Sequence, residues 1–175
     1  MAVSAAFGGN VVWHCEVEKS VNKLLEHRFP EVPNLGDISQ VDWNSVERVD
    51  VLCGGFPCQD VSSAGKRAGI VPGTRSGLWT MFASAIEVIR PRHVIIENVR
   101  GILSAKAHRS VESGEGDLGE GESLILKAMG AVLGDLSDLG YDARWKTVSA
   151  ASVGAPHRRD RVFIHAYPRR VFSHT

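Results

Sequence analysis

Three short apolar runs in this chain each stop abruptly at polar residues. Val11-Val12-Trp13 leads to Cys15-Glu16. Asp50-Val51-Leu52-Cys53 leads through Gly54-Gly55 to Phe56-Pro57-Cys58-Gln59. The run at 93–96 closes in Glu97-Asn98. Runs this short with apolar residues on both faces read as buried strands. Helical spacing separates them. Val21, Leu24, Leu25 and Phe29 recur within 18–29, which Pro30 and Pro33 stop. Leu78, Met81, Phe82, Ala85, Ile86 and Ile89 recur within 77–90, and Pro91 follows. Ile125, Ala128, Met129, Val132, Leu133 and Leu136 form a third helical face, with Gly140 placed for a C-terminal cap. Strands are also expected at 141–149 and 161–166. Such alternation predicts an α/β fold: a doubly wound, mostly parallel sheet with helices on both faces. Ligands of such sheets sit beyond the carboxyl ends of the strands, where the polar residues of this chain gather.

Composition narrows the class. The chain has 175 residues, 43% hydrophobic and 23% charged. That is enough for about one domain with a real core. It excludes global disorder and a disulfide scaffold. No run of 18 apolar residues exists, so no membrane-spanning helix is expected. The N-terminus lacks a secretory pattern. Three cysteines, Cys15, Cys53 and Cys58, fit a reducing cytoplasm. They complete no zinc set, and no metal site is expected. Lys plus Arg balance Asp plus Glu at twenty each. Neutrality gives no overall push toward nucleic acid. It is an average, however: five acids and four glycines in 110–123 offset basic residues at 66–75 and 158–170. The segment 108–123 reads as acidic, glycine-rich and mobile. Residues 59–77 read as a long loop, a length that is usually functional or mobile.

Several residues admit two readings. Cys58 lies on a loop stiffened by Pro57, with Lys66, Arg67 and Arg75 nearby in sequence, and is either a nucleophile or a buried thiol. Cys15 and Cys53 read as buried hydrophobes. Glu97, leaving an apolar strand, is either a partly desolvated proton donor or a structural carboxylate. Arg159 and Arg161 alternate along an expected strand and so share a face, as part of a site or of a solvated basic surface. Glu16, at a strand end, suits ribose hydroxyls. Gly36-Asp37-Ile38 is a turn or an adenine contact.

Taken in order, these segments resemble the DNA (cytosine-5) methyltransferase family. The resemblance rests on Cys-Glu-Val-Glu-Lys at 15–19, Gly-Asp-Ile-Ser at 36–39 and Gly-Gly-Phe-Pro-Cys-Gln at 54–59. It continues with Arg-Ser-Gly-Leu-Trp at 75–79, Glu-Asn-Val at 97–99 and the arginine-rich segment at 157–161. It spans roughly 10–166. It implies a Rossmann-like, S-adenosylmethionine-dependent methyltransferase fold and a DNA-modifying enzyme of the restriction-modification kind. The substrate is double-stranded DNA with a flipped cytosine. Cys58 attacks ring carbon six. Glu97 stabilises the pyrimidine at N3 and the amino group. Arg159 and Arg161 hold the base carbonyl and a phosphate or support the pocket. Asn98 braces the Pro57-Cys58 loop, and Gln59 and Ser62 touch the DNA backbone. Glu16, Val17, Asp37, Ile38 and Leu78 line the cofactor site.

The family pattern also opens with a strand and a glycine-rich turn. Here Phe7-Gly8-Gly9 leaves no room for the helix that follows such a turn, and residues 1–7 read as that helix's tail. The family follows its arginine segment with a target-recognition domain, and opens that segment with glutamine where His157 stands here. The expectation is a partial catalytic domain over 1–175, incomplete at both ends. A second polypeptide would supply the missing motifs. The alternatives are a non-catalytic nucleic-acid-binding remnant, and RNA in place of DNA.

Overall fold

The computed structural model describes residues 2–57, 77–110 and 123–169. Its core is a four-stranded sheet in the order β1-β2-β6-β5: β1 Val51–Gly55, β2 His93–Val99, β5 Tyr141–Ser149 and β6 Asp160–Pro168. Helices α1 Ala2–Phe7, α2 Lys19–Arg28, α3 Leu78–Ile89 and α4 Ala128–Asp138 complete the α/β architecture. A separate two-stranded hairpin pairs β3 Lys106–Ser110 with β4 Ser123–Lys127. It takes both ends of the segment expected to be mobile; 111–122 lies outside the described residues. It also moves Ile125 from the expected helix into β4, so that α4 begins at Ala128.

Strand direction differs from expectation. Among the described strands of this sheet only β1 and β2 pair in parallel; β6 runs antiparallel to both β2 and β5. The cause is connection length. Between β1 and β2 the chain has room for α3, and parallel strands need such a crossover. Between β5 and β6 there are only residues 150–159, holding one short 3-10 turn, Ala150–Val153. A link that short returns the chain antiparallel.

Burial follows the two-residue period of β2 and β6. Val94, Ile96, Val162, Ile164 and Ala166 are fully buried, against Trp79, Phe82, Ala85 and Ile86 of α3 and Ala128, Val132 and Leu136 of α4. Each large aliphatic side chain so buried is worth about 1.5–3 kcal/mol. Two cross-links fix the layer: the Trp79 indole N–H donates to Asp135 at 2.7 Å, and the Tyr141 hydroxyl to the Pro91 carbonyl at 2.8 Å. Gly140 caps α4 in the left-handed region, φ +84°.

The opposite face of the sheet carries Cys53, Ile95, Glu97, Arg161 and Phe163. Phe163 is 42% exposed. Phe7 of α1 reaches this face, stacking on His93 at 4.9 Å. The two longest helices, α3 and α4, both pack on the buried face. Residues 11–15 are not a strand of the sheet. It makes a single parallel bridge, His14 to Asn34. Helix α2 buries no residue, and Leu24 is 60% exposed. No helix among the described residues is long and apolar enough to cross a membrane.

Candidate functional site

The carboxyl end of β2 splits its polar pair between the two faces. Asn98 points inward and is 2% exposed. Its side-chain amide N–H donates to the Phe56 carbonyl at 2.8 Å, and its Oδ1 accepts from the Val99 N–H at 2.8 Å. Phe56 is itself buried and packs on Trp79 at 5.0 Å. The backbone entering Pro57 is therefore pinned from two sides. Cys58, Gln59 and Ser62 follow immediately and lie outside the described residues.

Glu97 points to the open face. Arg161 Nε meets its Oε1 at 2.6 Å; the side chains are 20% (Arg161) and 45% (Glu97) exposed. This carboxylate is partly desolvated, as expected, and it is ion-paired. The contact is a diagonal one. Val99 is Arg161's register partner and Phe163 is Glu97's, so two residues two apart on facing antiparallel strands meet on one face. The other carboxyl oxygen, Oε2, lies over Gly55. A Cβ on Gly55 would sit 3.3 Å from it and 2.8 Å from the Glu97 carbonyl oxygen. Only glycine allows β1 to end this close to Glu97.

Arg159 does not share that face. It precedes β6, has φ +27°, is exposed, and forms no hydrogen bond or ion pair with Glu97 among the described residues. The expected alternation fails because Arg159 lies outside β6, which begins at Asp160. The Arg158 carbonyl anchors this turn, accepting from Ala150 N–H at 2.7 Å and from the Ser149 hydroxyl at 2.8 Å.

The second cluster lies where 14–17 runs beside 34–38. Glu16 Oε1 accepts from the N–H groups of Val17 and Glu18, each at 2.9 Å. Asp37 Oδ1 accepts from Ser39 N–H at 2.9 Å, a bond that lowers the Asp37 pKa. Both carboxylates act on Cys15. Burial first, then Asp37 and Glu16, push its thiol up to about 11, and it donates to the Gly36 carbonyl. Ile38 and Leu78 both pack on the core edge, and the turn Ile38–Gln40 adjoins α3. Val17 stands 64% exposed beside them. Four of the five expected cofactor residues thus share two adjoining pairs of elements, with Val17 at the rim.

Sequence reasoning missed Asn34, which organises this cluster. Its Oδ1 accepts from Glu16 N–H at 3.0 Å and Gly36 N–H at 3.1 Å, while its N–H groups donate to the Glu16 carbonyl and Asn22. An asparagine just after Pro33 and two residues before Gly36 is a turn signal that could have marked it. No group of three or more metal-ligating side chains occurs among the described residues.

A type II methyltransferase of Bacillus subtilis, M2.BsuMI, is 35% identical over 156 residues, 87% of this chain and 35% of the relative. The Haemophilus parahaemolyticus enzyme M.HhaI is 28% identical, over 90% of this chain and 42% of its own. The chain spans roughly a third to two fifths of the length of such relatives. Among solved structures, the Schizosaccharomyces pombe Dnmt2 methyltransferase superposes with TM-score 0.67 at 16% identity, covering 97% of this chain and 46% of that one. Likeness at that identity establishes the fold, a methyltransferase-type α/β layer. The sequence profile of C-5 cytosine-specific DNA methylases matches residues 3–171, and the chain belongs to that family.

Proposed function

We propose that this chain forms part of a cytoplasmic enzyme that transfers a methyl group from S-adenosylmethionine to carbon 5 of a flipped cytosine in duplex DNA. The observation that carries this reading is the divided end of β2. One strand end holds the backbone before Cys58 through Asn98 and offers the Glu97 carboxylate on the open face.

The residues suit each role. Cys58 supplies a thiolate that bonds to ring carbon six, and the ring electrons move toward carbon five. Glu97, its Oε1 held by Arg161, presents Oε2 toward N3 and the amino group of the base, where charge changes during attack. Arg161 positions Glu97; Arg159, exposed on the turn, serves a phosphate. The cofactor contributes the methyl group as an electrophile. The second cluster fits it: Glu16 and Asp37 each use one carboxyl oxygen locally and keep the other for hydroxyl or amine donors, with exposed Val17 and half-buried Ile38 beside them. Departure of the carbon-five proton returns electrons to the ring and breaks the bond to Cys58. Gln59 and Ser62 contact the DNA backbone. A second polypeptide completes the cofactor and DNA sites.

The test is a covalent trap. The chain is mixed with labelled cofactor, duplex DNA containing 5-fluorocytosine, and the parts of the Bacillus subtilis relative that lie outside its match. A labelled protein–DNA adduct that vanishes in Cys58→Ser is expected. No adduct in any mixture, with salt-sensitive DNA binding retained by Cys58→Ser, would overturn the enzyme reading in favour of a binding module.

A further inference from the structure

Asn34 is exposed, yet its side chain spends every hydrogen bond it can make on the chain itself. An amide oxygen accepts two bonds and an amide nitrogen donates two. Oδ1 of Asn34 accepts from Glu16 N–H at 3.0 Å and from Gly36 N–H at 3.1 Å. Nδ2 donates to the Glu16 carbonyl at 3.0 Å and to Asn22 Oδ1 at 3.1 Å. An exposed amide with no positional duty leaves such bonds to water. The orientation is also fixed, because the amide turned over would set its own N–H groups against those of Glu16 and Gly36.

The place of this residue explains the arrangement. Segments 14–17 and 34–38 begin to pair in parallel. His14 N–H donates to the Pro33 carbonyl at 2.9 Å, and Leu35 N–H to the His14 carbonyl at 2.8 Å. There the backbone ladder stops; among the described residues no later backbone bond joins the two segments. The Asn34 side chain takes over from it. It holds Glu16 by both backbone groups, holds Gly36 by its N–H, and ties the junction to α2 through Asn22. Beside it runs one weak bond, from the Cys15 thiol to the Gly36 carbonyl.

What the junction carries is a pair of carboxylates. Glu16 is fixed to its own segment by the N–H groups of Val17 and Glu18, and Asp37 to its own by Ser39 N–H. Those local bonds say nothing of the distance between the two. That distance is set by whatever joins residue 16 to residue 36, and the Asn34 amide is the strongest such link. An adenosine presents donors at two separated points, the ribose hydroxyls and the 6-amino group. Two carboxylates can serve both only at a matching separation, and a ready-made separation spares the cost of ordering them on binding.

We infer that Asn34 is a positioning residue of the adenosine site, setting the separation of the Glu16 and Asp37 carboxylates without itself touching the cofactor. This deepens the proposed function and rests on its reading of this cluster as the cofactor site.

Titration of the full chain, followed by nuclear magnetic resonance, tests it with three probes: adenosine, 2′,3′-dideoxyadenosine, and purine riboside, which lacks the 6-amino group. In the unaltered chain each deletion should weaken binding about tenfold, as expected for a hydrogen bond to a charged group. Asn34 lies outside the core, so Asn34→Ala keeps the fold. It should weaken adenosine, and at least one of the two ratios should fall to about threefold or less, because the ligand can then satisfy one carboxylate but not both. A merely structural loss would weaken all three probes by one common factor and leave both ratios standing. Asn22→Ala, which frees α2 alone, should keep both ratios. Two results overturn the inference: Asn34→Ala with both ratios intact, or Asn22→Ala lowering them as far as Asn34→Ala does. Either sinks the positioning role alone. An unaltered chain that binds no probe, or binds all three alike, sinks the reading of the cluster as the cofactor site, and the positioning role with it.

Discussion

Replacing Asn98 by alanine should destabilise the chain out of proportion to the few atoms removed. The side chain is 2% exposed and makes two hydrogen bonds of 2.8 Å. Its loss leaves the Phe56 carbonyl without its donor in a place where Phe56 is itself 7% exposed. A buried group deprived of its partner costs about 1–3 kcal/mol. The Val99 N–H also loses its acceptor, but Val99 is exposed enough for water to replace it, at a cost of about 0.5 kcal/mol. The sum is about 1.5–3.5 kcal/mol. With a urea slope of about 1–3 kcal/mol per molar, the unfolding midpoint falls by roughly 1 M. Asn98→Asp sharpens the assay. It keeps the acceptor for Val99 but turns a charged oxygen toward the Phe56 carbonyl, so it should cost at least as much near neutral pH. It should recover part of the loss in acid, where a protonated carboxyl can donate. A midpoint shift below about 0.2 M for Asn98→Ala would refute the argument, because a satisfied buried amide cannot be removed that cheaply.

Two further outcomes follow from the same geometry. Gly55→Ala drives a Cβ to 2.8 Å from the Glu97 backbone carbonyl, whereas Gly54→Ala meets only the Phe82 ring edge at 3.0 Å, which can turn aside. Gly55→Ala should therefore cost about 1–3 kcal/mol in urea unfolding, and Gly54→Ala clearly less; equal losses would show that β1 and β2 are not held that closely. Stability should also fall between pH 7.5 and pH 5. Burial, then His93 and Arg144, lower the His165 pKa below its ordinary 6.5, and burial lowers His14. The unfolded chain then binds more protons than the folded one, so the contribution is whole above 6.5 and is lost as pH drops below it. His165→Asn should flatten part of that slope, and a midpoint that rises on acidification would contradict the assignment.

The elements that were legible in the sequence are those whose partners are local. Helix α3 announces itself by spacing and by Pro91, α4 ends where Gly140 permits a left-handed turn, and β5 is bounded as its residues suggest. What a segment pairs with was not legible. Val11-Val12-Trp13 has strand composition, but the segment makes one bridge, at the following His14, because a strand exists only where a neighbour presents a matching edge. The antiparallel course of β6 came from the ten residues 150–159, not from any residue inside the strand. Acidic, glycine-rich composition around 110–123 hid the hairpin flanking it, since β3, Lys-Ala-His-Arg-Ser, carries no apolar run that would mark a strand.

The candidate site divides along the same line. That Glu97 and Asn98 end a strand could be read from Ile95-Ile96-Glu97-Asn98-Val99. The period of two could have gone further, because neighbours on a strand face opposite ways. One polar residue had to enter the core and the other had to leave it. An amide can be satisfied in the core by one donor and one acceptor, whereas a carboxylate there needs a counter-charge. Asparagine inward and glutamate outward is the cheaper order, and it is the order observed. The partner of Glu97 was beyond local reading. Whether Arg159 or Arg161 meets it depends on where β6 begins and on the register that sets Val99 opposite Arg161. A one-residue slip would have turned Arg161 into the core and offered its neighbours to Glu97 instead. Register is fixed by Val162, Ile164 and Ala166 meeting Asn98, Ile96 and Val94 on the buried face. The ion pair on the open face is thus positioned by apolar side chains on the other side of the same strands.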